Sequence, residues 1–276
     1  MNALPAPLAT QYLERPGGRI AFDDTGGPGR LVIAAPGMGD TRGSYRHVRS
    51  PLVTAGVRVV TMDLRGLGES AATFEDYSDE AVAADYLALV DHLGAGPAVL
   101  VGNSLSCASA VIAATEQPDS IAGLVVIGPF VRPADMAWWQ KALFGAMLGG
   151  PWGRSAWVGY YRKTLYPGPR PPDHGEHVAA LSANLREPGR MAAFRQMAAN
   201  DHAGSGRRLA DVATPSAVVM GTADPDYPDA VVEAQEVADV LGAQLVLVDG
   251  SGHYPQADNP ATVVATIADV AGVGFT

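Results

Sequence analysis

The chain has 276 residues, 47% of them apolar and 17% charged, which is enough apolar surface to bury a core and too much for a disordered chain. Its 19 basic and 29 acidic side chains leave a net charge of −10, which opposes binding to a phosphate backbone, and no run of Lys and Arg offsets it. Cys107 is the only cysteine, so an intramolecular disulfide and a cysteine-rich metal site are both excluded, and its apolar setting reads as core.

The first ten residues carry no basic start and include Pro5 and Pro7, which does not fit a secretory leader. The longest apolar runs, over 108–114 and 121–127, are far shorter than a bilayer span. These features predict a soluble, cytoplasmic protein with neither a membrane nor a nucleic acid as partner. A hairpin is expected around Pro16-Gly17-Gly18, with strands near 11–14 and 19–23. Short apolar runs then follow at 31–35, 57–62, 98–102, 121–127, 216–220 and 244–248. They are rich in Val, Ile and Leu without clean alternation, as in parallel strands covered on both faces. Helical spacing occupies 79–93, 105–116, 229–241 and 261–270. The alternation is that of an α/β protein.

Between Phe130 and about Gly206 the alternation breaks. No strand-like run occurs there, and Pro167-Gly168-Pro169-Arg170-Pro171-Pro172 interrupts the segment. All four tryptophans (Trp138, Trp139, Trp152 and Trp157) fall in it, and nine of the nineteen aromatics lie between Phe130 and Tyr166. A helical insertion over 130–206 accounts for this, leaving a core of 1–129 and 207–276. The aromatics serve either as the insertion's own core or as the wall of a ligand pocket. An insertion after the sixth strand emerges at the carboxyl edge of the sheet, and for the wall Trp138 and Trp139 are the first choices.

The strongest chemical signal is Val99-Leu100-Val101-Gly102-Asn103-Ser104-Leu105-Ser106, a strand running into a helix with a serine at the corner. A serine on so sharp a turn projects its hydroxyl above the carboxyl edge of the sheet, and small flanking residues let strand and helix approach. Serine is also a good helix cap, which is the competing reading of Ser104. After the first parallel strand, Ala35-Pro36-Gly37-Met38-Gly39-Asp40 is a turn able to present the Met38 N–H beside that of Leu105, a pair of donors suited to an oxyanion. Asp63-Leu64-Arg65-Gly66-Leu67-Gly68-Glu69-Ser70 follows the next strand. Late in the chain, Gly221-Thr222-Ala223-Asp224 and Gly250-Ser251-Gly252-His253-Tyr254 each follow a strand.

Taken in order, these pieces resemble an α/β-hydrolase-fold protein over nearly the whole chain apart from the insertion. The resemblance implies a mostly parallel eight-stranded sheet with helices on both faces and a helical cap after strand 6. It also implies Ser104 as nucleophile, His253 as base and Asp224 as orienting acid. The chemistry agrees: a serine hydroxyl needs a base, and a carboxylate on the other ring nitrogen holds the tautomer and stabilises the imidazolium. An aspartate at the elbow would instead suggest a dehalogenase or epoxide hydrolase. The chain departs from the family at Pro36-Gly37, where His-Gly is common, and at Ser106, where glycine is usual. The Gly-x-Ser-x-Ser elbow is similar to that of plant receptors in this fold that slowly hydrolyse butenolide hormones. Asp226 and Asp135 remain alternative acids. His174 and His177, three apart but without an evident third ligand, read as surface histidines rather than a metal site. The expectation is a serine hydrolase that needs no cofactor or metal and acts on the ester or related acyl bond of a small, largely apolar molecule. Its rivals are a slow-turnover ligand sensor and a lyase or acyltransferase on the same scaffold.

Overall fold

Eight strands form one sheet in the order β1-β2-β4-β3-β5-β6-β7-β8 in the computed structural model, which describes residues 8–133 and 138–274. The strands are β1 (Gln11–Arg15), β2 (Gly18–Asp24), β3 (Leu31–Ala35), β4 (Arg58–Met62), β5 (Ala98–Asn103), β6 (Ile121–Ile127), β7 (Ser216–Gly221) and β8 (Gln244–Val248). The hairpin β1–β2 is antiparallel, β2 runs antiparallel to β4, and every other pair is parallel. All six expected parallel strands are present within a residue at each end.

Around the sheet lie α1 (Arg46–Thr54), α2 (Asp79–Leu93), α3 (Ser106–Glu116), α4 (Trp138–Gly149), α5 (Gly153–Lys163), α6 (His174–Asn184), α7 (Arg190–Met197), α8 (Ala203–Gly206), α9 (Ala230–Leu241), α10 (Pro255–Asp258) and α11 (Pro260–Val270). Local rules explain the ends of α2: Ser78 accepts a hydrogen bond from the Ala81 N–H, and Gly94 closes the helix in the left-handed region. Helix α1 has no sequence signal, because Pro51 stands inside it and reads as a breaker. Its Val48 and Leu52 nevertheless pack onto the sheet.

Side chains of β5 alternate between two cores. Val99 and Val101 join Val48, Leu52, Val263 and Ile267 on the face covered by α1 and α11, whereas Ala98 and Leu100 join the core on the opposite face. Burial on both faces is why the strand is a continuous apolar run, each large side chain stabilising the fold by about 1.5–3 kcal/mol.

The chain leaves β3 to one side for β4 and returns to the other side for β5, so the strand order reverses at the β3/β5 boundary. In open α/β sheets the crevice beyond the carboxyl ends of the strands at such a switch point is where ligands bind. Both the turn after β3 and the corner after β5 open there. Helices α4–α8 come between β6 and β7.

Candidate active site

Ser104 sits at the corner between β5 and α3 with φ 58°, a left-handed conformation that a non-glycine residue adopts only when its surroundings enforce it. Three features enforce it. Gly102 is required by contact, since a Cβ there would stand 2.7 Å from the Cys107 nitrogen. Asn103 is buried and donates through Nδ2 to the carbonyls of Ile127 and His253, both at 3.1 Å. Ser106 is the third. Its hydroxyl accepts from the Asn103 N–H at 2.8 Å and shares its proton between the carbonyls of Ala35 (2.8 Å) and Asn103 (3.0 Å). The departure from glycine at this position is therefore a clamp that ties the corner to β3. The helix-cap reading of Ser104 fails, since α3 begins at Ser106 and no side chain caps it.

His253, in the turn after β8, is buried and meets Asp224, in the turn after β7, at 2.7 Å from Nδ1 to Oδ2. This bond places the ring proton on Nδ1 and leaves Nε2 as the acceptor for a hydroxyl. The His253 N–H donates to the Leu165 carbonyl at 3.1 Å, and the ring packs edge-on against Phe130 and Tyr254. Burial alone would depress the imidazole, but Asp224 and then Asp226 outweigh it and push His253 up to about 9. Ser104 Oγ makes no hydrogen bond to His253 among the described residues, the loose state common in unliganded sites. Of the alternative acids, Asp226 stands farther from Nδ1, at 3.5 Å, and Asp135 lies outside the described residues.

The turn after β3 faces the corner. A Cβ on Gly37 would lie 2.8 Å from the Ser104 Cβ, so only glycine lets the two segments come this close. Among the described residues neither the Met38 N–H nor the Leu105 N–H donates to a protein acceptor, which leaves both backbone donors beside the serine without a partner.

A model of the alpha/beta hydrolase family matches residues 32–266. The chain belongs to that family. It is 35% identical over 116 residues to the 2-hydroxy-6-oxo-6-phenylhexa-2,4-dienoate hydrolase of Burkholderia cepacia, an alignment covering 40% of each chain. To the bifunctional epoxide hydrolase 2 of Sus scrofa it is 34% identical over 102 residues, covering 36% of this chain and 18% of that one. The chain thus spans less than half the length of these curated relatives. Among solved structures, a thermophilic esterase from Thermogutta terrifontis superposes with a TM-score of 0.77 at 25% identity, covering 95% of this chain and 97% of that one.

The residues inserted between β6 and β7 in this alpha/beta hydrolase reach the site through side chains the sequence did not single out. Trp157 donates from Nε1 to the Gly39 carbonyl at 3.4 Å and stacks obliquely on Phe194. Tyr161 donates to Asp40 Oδ2 at 2.8 Å, and His177 Nε2 lies 2.7 Å from Asp40 Oδ1. Burial works against charge on Asp40, but His177, the Thr41 N–H and Tyr161 hold its carboxyl below the usual range. His174 and His177 are therefore not surface residues: both are buried, His177 on Asp40 and His174 facing the Arg162 carbonyl at 3.3 Å. Their spacing carries this packing role, and no sequence signal distinguishes it from an exposed pair.

Trp138 and Trp139 are not enclosed by the fold. They are 81% and 55% exposed, because α4 packs on α5 through Phe144, Met147 and Leu148 and turns its first residues outward. The half-buried aromatics that meet the His253–Asp224 pair are instead Phe130, edge-on to the His253 ring, Tyr227, which packs on Phe130, and Tyr160, which donates to Asp226. Cys107 is core as expected, and burial pushes its thiol up. A separate cleft of about 580 Å³, lined by Tyr12, Arg19, Arg42, Asn184 and Arg190 among others, includes none of Ser104, Asp224 and His253. Arg42 and Arg190 are paired there with Asp63 and Glu187. Asp224, Asp226 and His253 also bring one potential ligand atom each within 4.8 Å of one another. A metal held there would take the Nδ1 that already serves the Asp224 hydrogen bond.

Proposed function

We propose that the protein is a serine hydrolase that cleaves the ester or related acyl bond of a small, largely apolar molecule through an acyl-enzyme. The observation that carries this reading is the 2.7 Å His253–Asp224 bond behind a serine held at φ 58° beside two undonated N–H groups. In this scheme His253 Nε2 takes the Ser104 proton as Oγ attacks the carbonyl carbon. The Met38 and Leu105 N–H groups receive the oxyanion, and the imidazolium returns the proton to the leaving group. Water then repeats the relay on the acyl-enzyme and releases the acid. No cofactor or metal enters any step. Serine at the elbow, rather than aspartate, separates this chemistry from that named for the epoxide hydrolase relative. Helices α4–α8 act as the cap, and Met38, Phe130, Tyr160, Trp157, Tyr227 and Phe194 favour apolar acyl groups over charged ones.

The slow-turnover sensor is the second reading, and His253 favours it. A base pushed up to about 9 is neutral in only about 1% of molecules at pH 7, which slows serine activation at neutral pH. No helix of the described residues is long and apolar enough to cross a membrane; the proposed setting is cytoplasmic and the proposed partner a small molecule. A fluorophosphonate probe and a panel of short and medium acyl esters, run from pH 6 to 10, test both. Labelling lost in Ser104→Ala and brisk ester turnover near pH 9 support the hydrolase. Labelling with negligible turnover at every pH supports the sensor, and labelling retained in a folded Ser104→Ala refutes both.

A further inference from the structure

We propose that Asp226 is a second acid on the catalytic imidazole, positioned by Tyr160 of α5, so that docking of the helical insertion sets how firmly His253 holds its proton. Asp226 follows Asp224 by two residues, with Pro225 between them, and its own N–H donates to Asp224 Oδ1 at 3.0 Å. That bond leaves Asp224 Oδ2 for His253, while Asp226 Oδ2 faces the same Nδ1 from 3.5 Å. The other carboxylate oxygen of Asp226 accepts the hydroxyl proton of Tyr160, which reaches it from the insertion. The shared nitrogen thus has one hydrogen-bonded acid and one acid held just beyond it by a tyrosine.

The surroundings narrow what else could set this proton. Asp224, Asp226 and Tyr227 face His253 from the turn after β7, Tyr254 from the turn after β8, and Tyr160 from α5. The elbow contributes only the neutral Asn103. The tyrosines are all pushed up by burial and stay neutral, so the two carboxylates alone charge the site. Burial also raises Asp226, with Asp224 adding to it, whereas His253 and the Tyr160 hydrogen bond favour its anion. Tyr160 in place therefore keeps the second charge on; Tyr160 withdrawn lets Asp226 take up a proton and releases part of its hold on the imidazolium. Asp226 and Tyr160 are positioning residues, and neither touches the reacting atoms in this arrangement.

The role rests on the acyl-transfer reading only for its kinetic consequence, so the test reads His253 directly. The imidazole is titrated by NMR in a Ser104→Ala background, with its signals assigned by their loss in His253→Gln. Asp226→Asn, whose amide oxygen still accepts from Tyr160, should lower the His253 pKa by about one unit or more. Tyr160→Phe should shift it in the same direction by less, and should add nothing once Asp226 is Asn. With Ser104 restored, the acid limb of kcat/KM should move to lower pH by the same amounts. A His253 pKa unchanged in Asp226→Asn overturns the proposal, as does a Tyr160→Phe effect that persists without Asp226. A structural role alone would lower the melting temperature and leave the titration in place. If the parent enzyme neither labels nor hydrolyses esters, the proposed function fails while the titration still decides this pair.

Discussion

Replacing Ser106 by alanine tests the clamp under the elbow. The substitution removes one buried oxygen and almost no volume, so its cost is read in hydrogen bonds. The Ala35 carbonyl keeps a donor, because the Tyr45 hydroxyl reaches it at 2.8 Å. The Asn103 N–H has no such reserve: its acceptor is Ser106 Oγ, and both residues are buried. Losing one net hydrogen bond costs about 1 kcal/mol, and stranding a buried N–H adds about 1–3 kcal/mol, so the fold should lose about 2–4 kcal/mol. With a urea slope of about 3 kcal/mol per M, the unfolding midpoint should fall by about 1 M. Ser106→Gly should lose the same amount plus roughly 0.5–1 kcal/mol of backbone freedom, although glycine is the usual residue at this place. The released corner should also relax Ser104 from its strained φ and slow fluorophosphonate labelling. A midpoint within 0.2 M of the wild type would show that the three bonds of Ser106 Oγ are dispensable, and would refute the account of why serine stands there.

On the acyl-enzyme reading, Asp224→Asn should lower kcat by about 10⁴-fold with KM little changed, measured on the best ester of the panel. Gly37→Ala puts a methyl 2.8 Å from the Ser104 Cβ, so kcat should fall about 10²-fold or more while circular dichroism stays unchanged. An unaltered kcat would show that the oxyanion turn yields freely. The pairing of His253 with Asp224 and Asp226 also makes a pH-dependent contribution to stability. Because its folded value lies above the ordinary 6.5, this stabilisation, about 3 kcal/mol at most, is complete below pH 6.5 and lost as pH rises through about 9. The stability gap between wild type and His253→Gln should therefore shrink between pH 6 and 10. Trp157→Phe should shift the preferred acyl length in a chain-length series. Trp138→Ala, at an exposed indole, should leave both acyl preference and melting temperature nearly as they were.

The fold and the pairing of Asp224 with His253 were legible because their signals are local. Buried parallel strands must be apolar on both faces, so β3, β5, β6 and β7 stand out as short runs, and the corner formed by Gly102, Ser104 and Ser106 lies at the end of one of them. Asp224 and His253 also sit just after strands, which is why their order along the chain places them at one edge of the sheet. Helix α1 escaped notice because Pro51 is a local breaker, whereas its place is decided by Val48 and Leu52 meeting the sheet.

What only the tertiary structure decided is how the insertion meets the core. Trp157 and Trp138 are the same residue type nineteen positions apart, yet one indole donates to Gly39 and the other faces solvent. His177 and Asp40 lie 137 residues apart, and Tyr160 and Asp226 lie 66 apart. Such pairings depend on the angle at which α5 and α6 dock, which is set by the sum of many packing contacts, and no spacing along the chain encodes it. Residue types and their positions after strands therefore determined the sheet and which polar residues gather at its carboxyl edge. The docked helices determined which side chains reach Gly39 and Asp40 in the turn after β3, and through Tyr160 and Asp226 how much charge His253 faces.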